Sequence, residues 1–259
     1  MKLYSLASGS SGNAYLVYSR GTAFLLDAGL SGKKIIQSIE SLGPFRQCLQ
    51  GIFVSHEHVD HSRGAGVLSR MLNLPLYMTR GTWQGCRRHL GTVAPENLNF
   101  IQAGSMFNLG SLELTAFPLF HDGKEPVNVV VDNGRARLAV LTDTGVVTQE
   151  TLKILSTCEG LVLEANHDPE MLTKGPYPHF LKRRIRSDIG HLSNQQAAEV
   201  AALLFNMGRL KQLQLGHLSE VNNTPELAAQ AICDGLGEKL SRENLAVLPR
   251  HAPGPLLQL

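Results

Sequence analysis

Cysteine is scarce in this chain of 259 residues: Cys48, Cys86, Cys158 and Cys233 are its four, far apart and without a C-x-x-C pair. That leaves no disulfide framework to read, and the thiols are those of a reduced, cytosolic protein. Long apolar runs are missing too. None approaches the ~18–20 residues that a membrane span needs, and Met1–Gly9 has no sustained apolar stretch of signal-peptide length. The expectation is a soluble, cytoplasmic protein without membrane contact. An excess of either charge is also lacking, with a net charge of +2 and a pI of about 8.4. Such mild basicity permits a nucleic-acid partner without demanding one, since a strong footprint takes a pI above ~9 with clustered Lys and Arg. There is no internal repeat, low-complexity tract or long linker. What remains, 43% hydrophobic and 18% charged residues, is a globular composition, and the length suits a single domain over residues 1–259 with a sizeable core.

Against this background one stretch stands out. His56–His61 reads H-E-H-V-D-H, three histidines and two acids in six residues. Gly51–Val54 leads into it as a short buried strand, and Ser62–Leu72 reads as the start of a helix. The cluster therefore sits at the end of a strand, where functional groups collect on α/β scaffolds. Neutral imidazole and carboxylate are ligands for zinc, manganese and iron. His56 and His58 alternate, so in an extended segment they point the same way and can hold one ion. Asp60 and His61 follow at the turn and can face a second. Scattered histidines mostly just hydrogen-bond, but H-x-H-x-D-H as a unit rarely arises by chance.

Around this stretch the pattern alternates between strands and helices. Strands are expected at 3–7, 14–18 and 22–27 as an antiparallel meander. Helices follow at 31–42 and 79–90, with a strand at 75–78 between them. Further strands fall at 99–102, 112–118, 127–131 and 137–141. The last part reads as helix 148–155, strand 160–164, a helix within 176–185, helix 194–205, strand 210–215, helix 224–236 and strand 245–248. Two strand-rich sheets with helices between and outside them predict an α/β (α+β) protein, a four-layer αββα sandwich. The turn Ser8–Asn13 has the Gly and Ser content either to cradle a phosphate or to be a plain hairpin turn. Three more residues, His121, Asp143 and His217, each follow a buried strand as His56 does. Singly each reads as a cap or surface residue; together they converge.

His56, His58, Asp60 and His61 match the H-x-H-x-D-H signature of the metallo-β-lactamase superfamily. Leu6–Asn13, Asn166–His167–Asp168 and Gly190–Asn194 resemble its YycJ/WalJ branch of bacterial proteins, and that resemblance runs over essentially the whole chain. It implies the metallo-β-lactamase fold and two divalent transition-metal ions, zinc or manganese, with iron also compatible. His56, His58 and His121 would hold one ion, Asp60, His61 and His217 the other, and Asp143 would bridge them. A water shared by two such ions becomes the nucleophile, and Asp60 can orient it. Asp27, ending the third strand, would accept the outer N–H of a metal-bound histidine. Asp143 in place of a cysteine argues against the thiolate-using β-lactam-hydrolysing branch. Phe120-His121-Asp122 is not the G-H-T-x-G-H of glyoxalase II-like thioesterases.

His167 and His191 lie in motifs whose Asn166 or Asp168 and Ser193 are good helix caps. In phosphodiesterases of the resembled fold a histidine from this region contacts the phosphate or protonates the leaving oxygen; His191 and His167 are the candidates. His89, His179 and His251 lack motif context. Lys182, Arg183, Arg184 and Arg186 form the strongest basic run, either a solvated helix face or a rail for a nucleic-acid backbone. The resemblance thus implies a dinuclear phosphodiester hydrolase, a DNA exonuclease. The alternatives are a hydrolase of small cyclic or nucleotide phosphodiesters and a non-enzymatic metal-binding regulatory protein. The sequence leaves the oligomeric state open.

Overall fold

The computed structural model describes residues 1–237 and 242–259. Three antiparallel strands open the chain, β1 (Lys2–Ala7), β2 (Ala14–Ser19) and β3 (Thr22–Leu26), as the meander pattern predicts. Helix α1 (Gly32–Leu42) starts where the Ser31 side chain accepts the Lys34 N–H, and buries Ile35, Ile36 and Ile39. It crosses over to β4 (Leu49–Phe53), which lies parallel to β3. Two short helices follow, α2 (Val59–Ser62) and α3 (Ala65–Leu72), then β5 (Leu76–Met78), α4 (Arg80–Leu90) and β6 (Leu98–Phe100). The single helix expected after the histidine cluster is thus split at Gly64, where an added Cβ would overlap the carbonyl oxygen of Leu30. As a result Asp60 and His61 ride on a helical turn rather than a loop.

The second sheet begins with the antiparallel strands β7 (Met106–Leu109), β8 (Leu112–Pro118), β9 (Val127–Asp132) and β10 (Arg137–Leu141). It continues through α5 (Gln149–Leu155), β11 (Gly160–Glu164), α6 (Pro169–Lys174), α7 (His179–Ile185), α8 (Asn194–Asn206), β12 (Gln212–Gly216), α9 (Pro225–Leu236) and β13 (Leu245–Val247). Strands β10 to β13 are parallel neighbours. The chain closes with β14 (Leu257–Gln258), which pairs with β1 across nearly the full sequence. Strands β7 and β14 and helix α6 have no counterpart in the sequence reading. Caps match their residue types: Asp168 starts α6, and a reciprocal Ser193–Gln196 capping box starts α8, each cap worth about 1 kcal/mol.

Alternation along the strands builds the layers. In β2, Tyr15 and Val17 face the partner sheet, while Ala14 and Leu16 face the helices. In β10, Leu138 and Val140 face inward, while Ala139 and Leu141 pack with α5 and α8. Three apolar layers result, one under α1, α3 and α4, one between the sheets, and one under α5, α8 and α9. Among the described residues no helix contributes to the layer between the sheets, so the expectation of helices between them is corrected: the helices lie outside, and the order is αββα. A Leu→Ala change in these fully buried layers costs about 2–5 kcal/mol. The parallel strands β3 and β4 in one sheet and β10, β11 and β12 in the other set their C-terminal ends together, and the polar residues gather along that edge. Among the described residues no helix is long and apolar enough to cross a membrane.

Candidate metal centre

The first sheet supplies the contiguous part of the site. After β4 the chain passes Ser55 and delivers His56 and His58. The ring nitrogens His56 Nε2 and His58 Nδ1 lie 3.0 Å apart. Helix α2 then presents Asp60 and His61. Behind them Asp27, at the end of β3, takes a left-handed backbone with φ of 62°. Its fully buried carboxylate accepts the Ser55 N–H at 2.8 Å, the Ser55 hydroxyl at 2.9 Å and His61 Nδ1–H at 2.7 Å. This contact is the one expected of Asp27, and it turns His61 Nε2 towards the site. Gly29 makes the close fit possible. Its N–H donates to Asn13 O, Asn13 N–H donates to Asp60 O, and an added Cβ at Gly29 would overlap that same Asp60 oxygen.

The second sheet supplies single residues from separate strand ends. His121 follows β8, and its Nδ1 lies 3.2 Å from Gly190 O. Asp143 and His217 follow β10 and β12 with φ of 61° and 55°. Left-handed backbone at non-glycine residues costs of the order of 1–3 kcal/mol and concentrates at functional sites. His217 is clamped from both sides: its N–H donates to Ser8 Oγ at 2.9 Å and its Nδ1 to Glu164 Oε1 at 2.7 Å.

Glu164, the last residue of β11, was not singled out from the sequence. It is fully buried, and it also accepts His191 Nδ1–H at 2.9 Å and the N–H groups of Thr144 and Leu192. A buried carboxylate needs such partners. A charged residue closing an otherwise apolar strand is the one sequence feature that could have marked it.

Among the described residues, four groups bring their ligand atoms within 4.8 Å of one another: His56/His58/His121, Asp60/His61/His217, His56/His61/Asp143 and Asp143/Glu164/His191/His217. Asp143 belongs to two of them, beside both the first and the second histidine sets. His61 Nε2 approaches Asp143 Oδ2 to 3.2 Å, but without hydrogen-bond geometry, so that buried oxygen has no partner, and neither has His217 Nε2. An orphaned buried polar atom costs about 1–3 kcal/mol. A cation between these atoms satisfies both, so the donor set fits one.

The electrostatics agree. Burial opposes charge on His61, yet Asp143, Asp27 and Asp60 outweigh it and hold the ring well above its usual value. Burial likewise opposes charge on His217, but Asp143, Asp60 and Glu164 take it up to about 10. Burial alone would raise Glu164, but His191 and His217 bring it down to about 2. In contrast, burial and the neighbouring His61 keep His56 well below its usual value, and burial lowers His121.

A pocket of about 180 Å³ opens beside this centre, with His121 and His191 in its wall. His191 keeps 20% of its side chain exposed. His167 is not in that wall or in the ligand groups. It is 2% exposed, and burial takes it down to about 4, so the substrate-facing role expected of it is corrected: it is a buried residue between β11 and α6.

The basic run is also unlike a uniform rail. Lys182 Nζ donates to Thr173 O at 2.8 Å and Gly175 O at 2.7 Å, closing the end of α6, and Arg186 bonds the Thr173 hydroxyl. Arg184 pairs with Asp122, whose other oxygen lies 3.2 Å from His121 Nε2 and 3.5 Å from His58 Nε2. Arg183 is exposed. In the Ser8–Asn13 turn, Gly12 N–H bonds Gly9 O and Gly9 N–H bonds Asn13 Oδ1. Those two amides are used inside the turn and are not open to a phosphate.

Comparison with known proteins agrees with this geometry. The Beta-lactamase superfamily domain matches residues 22–209. Exodeoxyribonuclease WalJ of Streptococcus pneumoniae serotype 2 is 38% identical over 236 residues, covering 90% of this chain and 87% of that protein. Exodeoxyribonuclease YycJ of Bacillus anthracis is 38% identical over 240 residues, covering 90% and 88%. Among solved structures, the Zn²⁺-bound PqqB of Methylobacterium extorquens superposes with a TM-score of 0.74 over all of both chains at 17% identity, a likeness of fold alone. With its histidine and aspartate clusters on this fold, the centre is a divalent-metal site. The family match and the two relatives, taken with the sheet order and these clusters, show that the chain belongs to the β-lactamase superfamily, in the family of the exodeoxyribonucleases WalJ and YycJ.

Proposed function

We propose that this chain is a dinuclear metal-dependent phosphodiesterase that removes nucleotides from the end of a DNA strand. The observation that carries the reading is the pair of histidine groups, His56/His58/His121 and Asp60/His61/His217, with Asp143 beside both. A single structural ion needs no such duplication. Zinc, manganese and iron all suit the ligand types. When bound, such a pair supplies charge for the phosphate and a lowered pKa for water.

The chain's own residues do the rest. Asp27 and Glu164 fix His61 and His217 by their Nδ1 atoms, which leaves His217 Nε2 to the centre, while His61 Nε2 lies 3.0 Å from the Asn13 amide nitrogen. Asp60, only a quarter exposed, is positioned to accept a hydrogen bond from the attacking water. Glu164 holds His191 by Nδ1, so His191 Nε2 is the atom available to steady the phosphate or to give a proton to the leaving oxygen. The exodeoxyribonuclease relatives support DNA as the substrate.

The test is an end-labelled digest of double- and single-stranded DNA by metal-free protein, with each divalent ion added back. Metal-dependent release of terminal nucleotides, slowed by salt as phosphate contacts require, is expected. No degradation with any ion, alongside turnover of small cyclic or nucleotide phosphodiesters, would replace this reading with the small-substrate one.

A further inference from the structure

The pocket beside the metal centre has two unlike walls. One holds His121 and His191 and so belongs to the centre. The other is apolar and comes from the segment around α7, namely Tyr177, Leu181, Ile185 and Ile189. Ile189 is 49% exposed at the mouth. Large apolar side chains left open beside a polar centre mark a binding surface. At about 180 Å³ the pocket is smaller than the ~300–1,000 Å³ that encloses a drug-sized ligand. It takes one ring system next to the centre, not two.

Of the polar groups around it, Asn166 donates an amide N–H to His217 O and Ser219 Oγ accepts the N–H groups of Val221 and Asn222, while Ser10 is exposed. Beside them an aromatic ring and aliphatic side chains offer a face on which any base can stack. At the lip Arg184 is half exposed, and Asp122 holds its guanidinium. A guanidinium has five N–H donors, so some remain for a neighbouring phosphate.

We propose that this pocket holds the terminal base of the DNA strand, whatever its identity, stacked on Tyr177 with Leu181 and Ile189 beside it, while the adjoining phosphate lies at the centre. Tyr177 would thus be a positioning residue that sets the grip on the end. The proposal rests on the DNA-hydrolysing reading above, and its test includes a measurement that does not.

Two measurements decide it. In the first, thymidine 5′-monophosphate and deoxyribose 5-phosphate are titrated against the metal-loaded protein by calorimetry. The base-bearing compound should bind about tenfold more tightly. Tyr177→Ala should erase that difference, and Tyr177→Phe, which keeps the ring, should preserve it. Equal affinity of the two compounds for the wild type overturns the proposal, even if DNA is digested. In the second, digestion of DNA with a normal terminal nucleotide is compared with that of DNA whose terminal nucleotide lacks its base. The wild type should lose about tenfold on the abasic end, and Tyr177→Ala should lose on the normal end with no further loss on the abasic one. Equal penalties for Tyr177→Ala on both ends sink the proposal. If no DNA is digested at all but the mononucleotide preference holds, the exonuclease reading fails and the base pocket stands.

Discussion

The two halves of the metal centre are built from the same residue type but backed differently. In the first half the outer nitrogens of two histidines meet neutral groups: His56 Nδ1 lies 3.0 Å from the Ser55 hydroxyl, and His121 Nδ1 lies 3.2 Å from Gly190 O, while His58 Nε2 lies 3.5 Å from the Asp122 carboxylate. In the second half they meet carboxylates, His61 on Asp27 and His217 on Glu164, each at 2.7 Å. The electrostatic outcome is opposite. The first pair is held below its usual protonation range and the second above it. A carboxylate behind a histidine makes it a more basic ligand, so in the dinuclear reading proposed above the second half would grip its ion harder and compete with protons for it. His56 and His121 would offer rings that are already neutral.

The largest expected effect comes from the residue that stands beside both halves. Asp143→Ala should cut DNA hydrolysis by more than about a thousandfold while the fold survives, because in the proposed dinuclear reading Asp143 would be the ligand both ions share. Initial rates together with elemental analysis check this. Activity within tenfold of wild type would mean that the halves act independently.

Next come the backing carboxylates. Glu164→Gln and Asp27→Asn keep the shape but remove the charge, and each should weaken one of the two bound ions by about 10–100-fold. Ser55→Ala, which removes the neutral partner of His56, should cost less than about tenfold. Competitive chelator titration measures all three, and a Ser55 effect as large as that of Glu164 would erase the distinction drawn here.

The mildest test is pH. In the metal-free protein His217 is raised to about 10, so it carries a proton at neutral pH that an incoming ion must displace. His61 is raised as well, so affinity in the second half should fall by at least about tenfold for each pH unit of acidification from neutrality. His56 and His121 lie below their usual values, so the first half should hold its ion into mildly acidic solution. Metal content after dialysis at stepped pH should go from two ions to one before reaching none. Loss of both in a single step would break the comparison.

A different division, by sheet, explains what the sequence revealed. The part carried by the first sheet is written mostly in six consecutive residues, His56–His61, and its density alone marks it. The part carried by the second sheet is assembled from His121, Asp143, Glu164 and His217, single residues at strand ends that tertiary pairing brings together. Singly each looks like a turn or cap residue, so His121, Asp143 and His217 were legible through family resemblance, and Glu164, which ends an apolar strand, was passed over. The layers followed from alternation, whereas the four residues of β7, paired with β8 across the Gly110–Ser111 turn, carry little apolar alternation, and the two-residue β14 depends on long-range pairing with β1. The basic run shows the limit of composition. Its charges were evident, but that Lys182 and Arg186 bind the end of α6 while Arg184 faces Asp122 depends on packing.

Gly29 carries one more consequence. The backbone there lies flush against Asp60, with Asn13 bonded to both, so three stretches of chain interlock beneath the histidine cluster. The cluster is therefore not a portable cassette. A designer who grafts His56–His61 onto another strand end without Asp27, Gly29 and Asn13 transfers the ligands but not the mould that shapes them, and any library that randomises position 29 should return glycine.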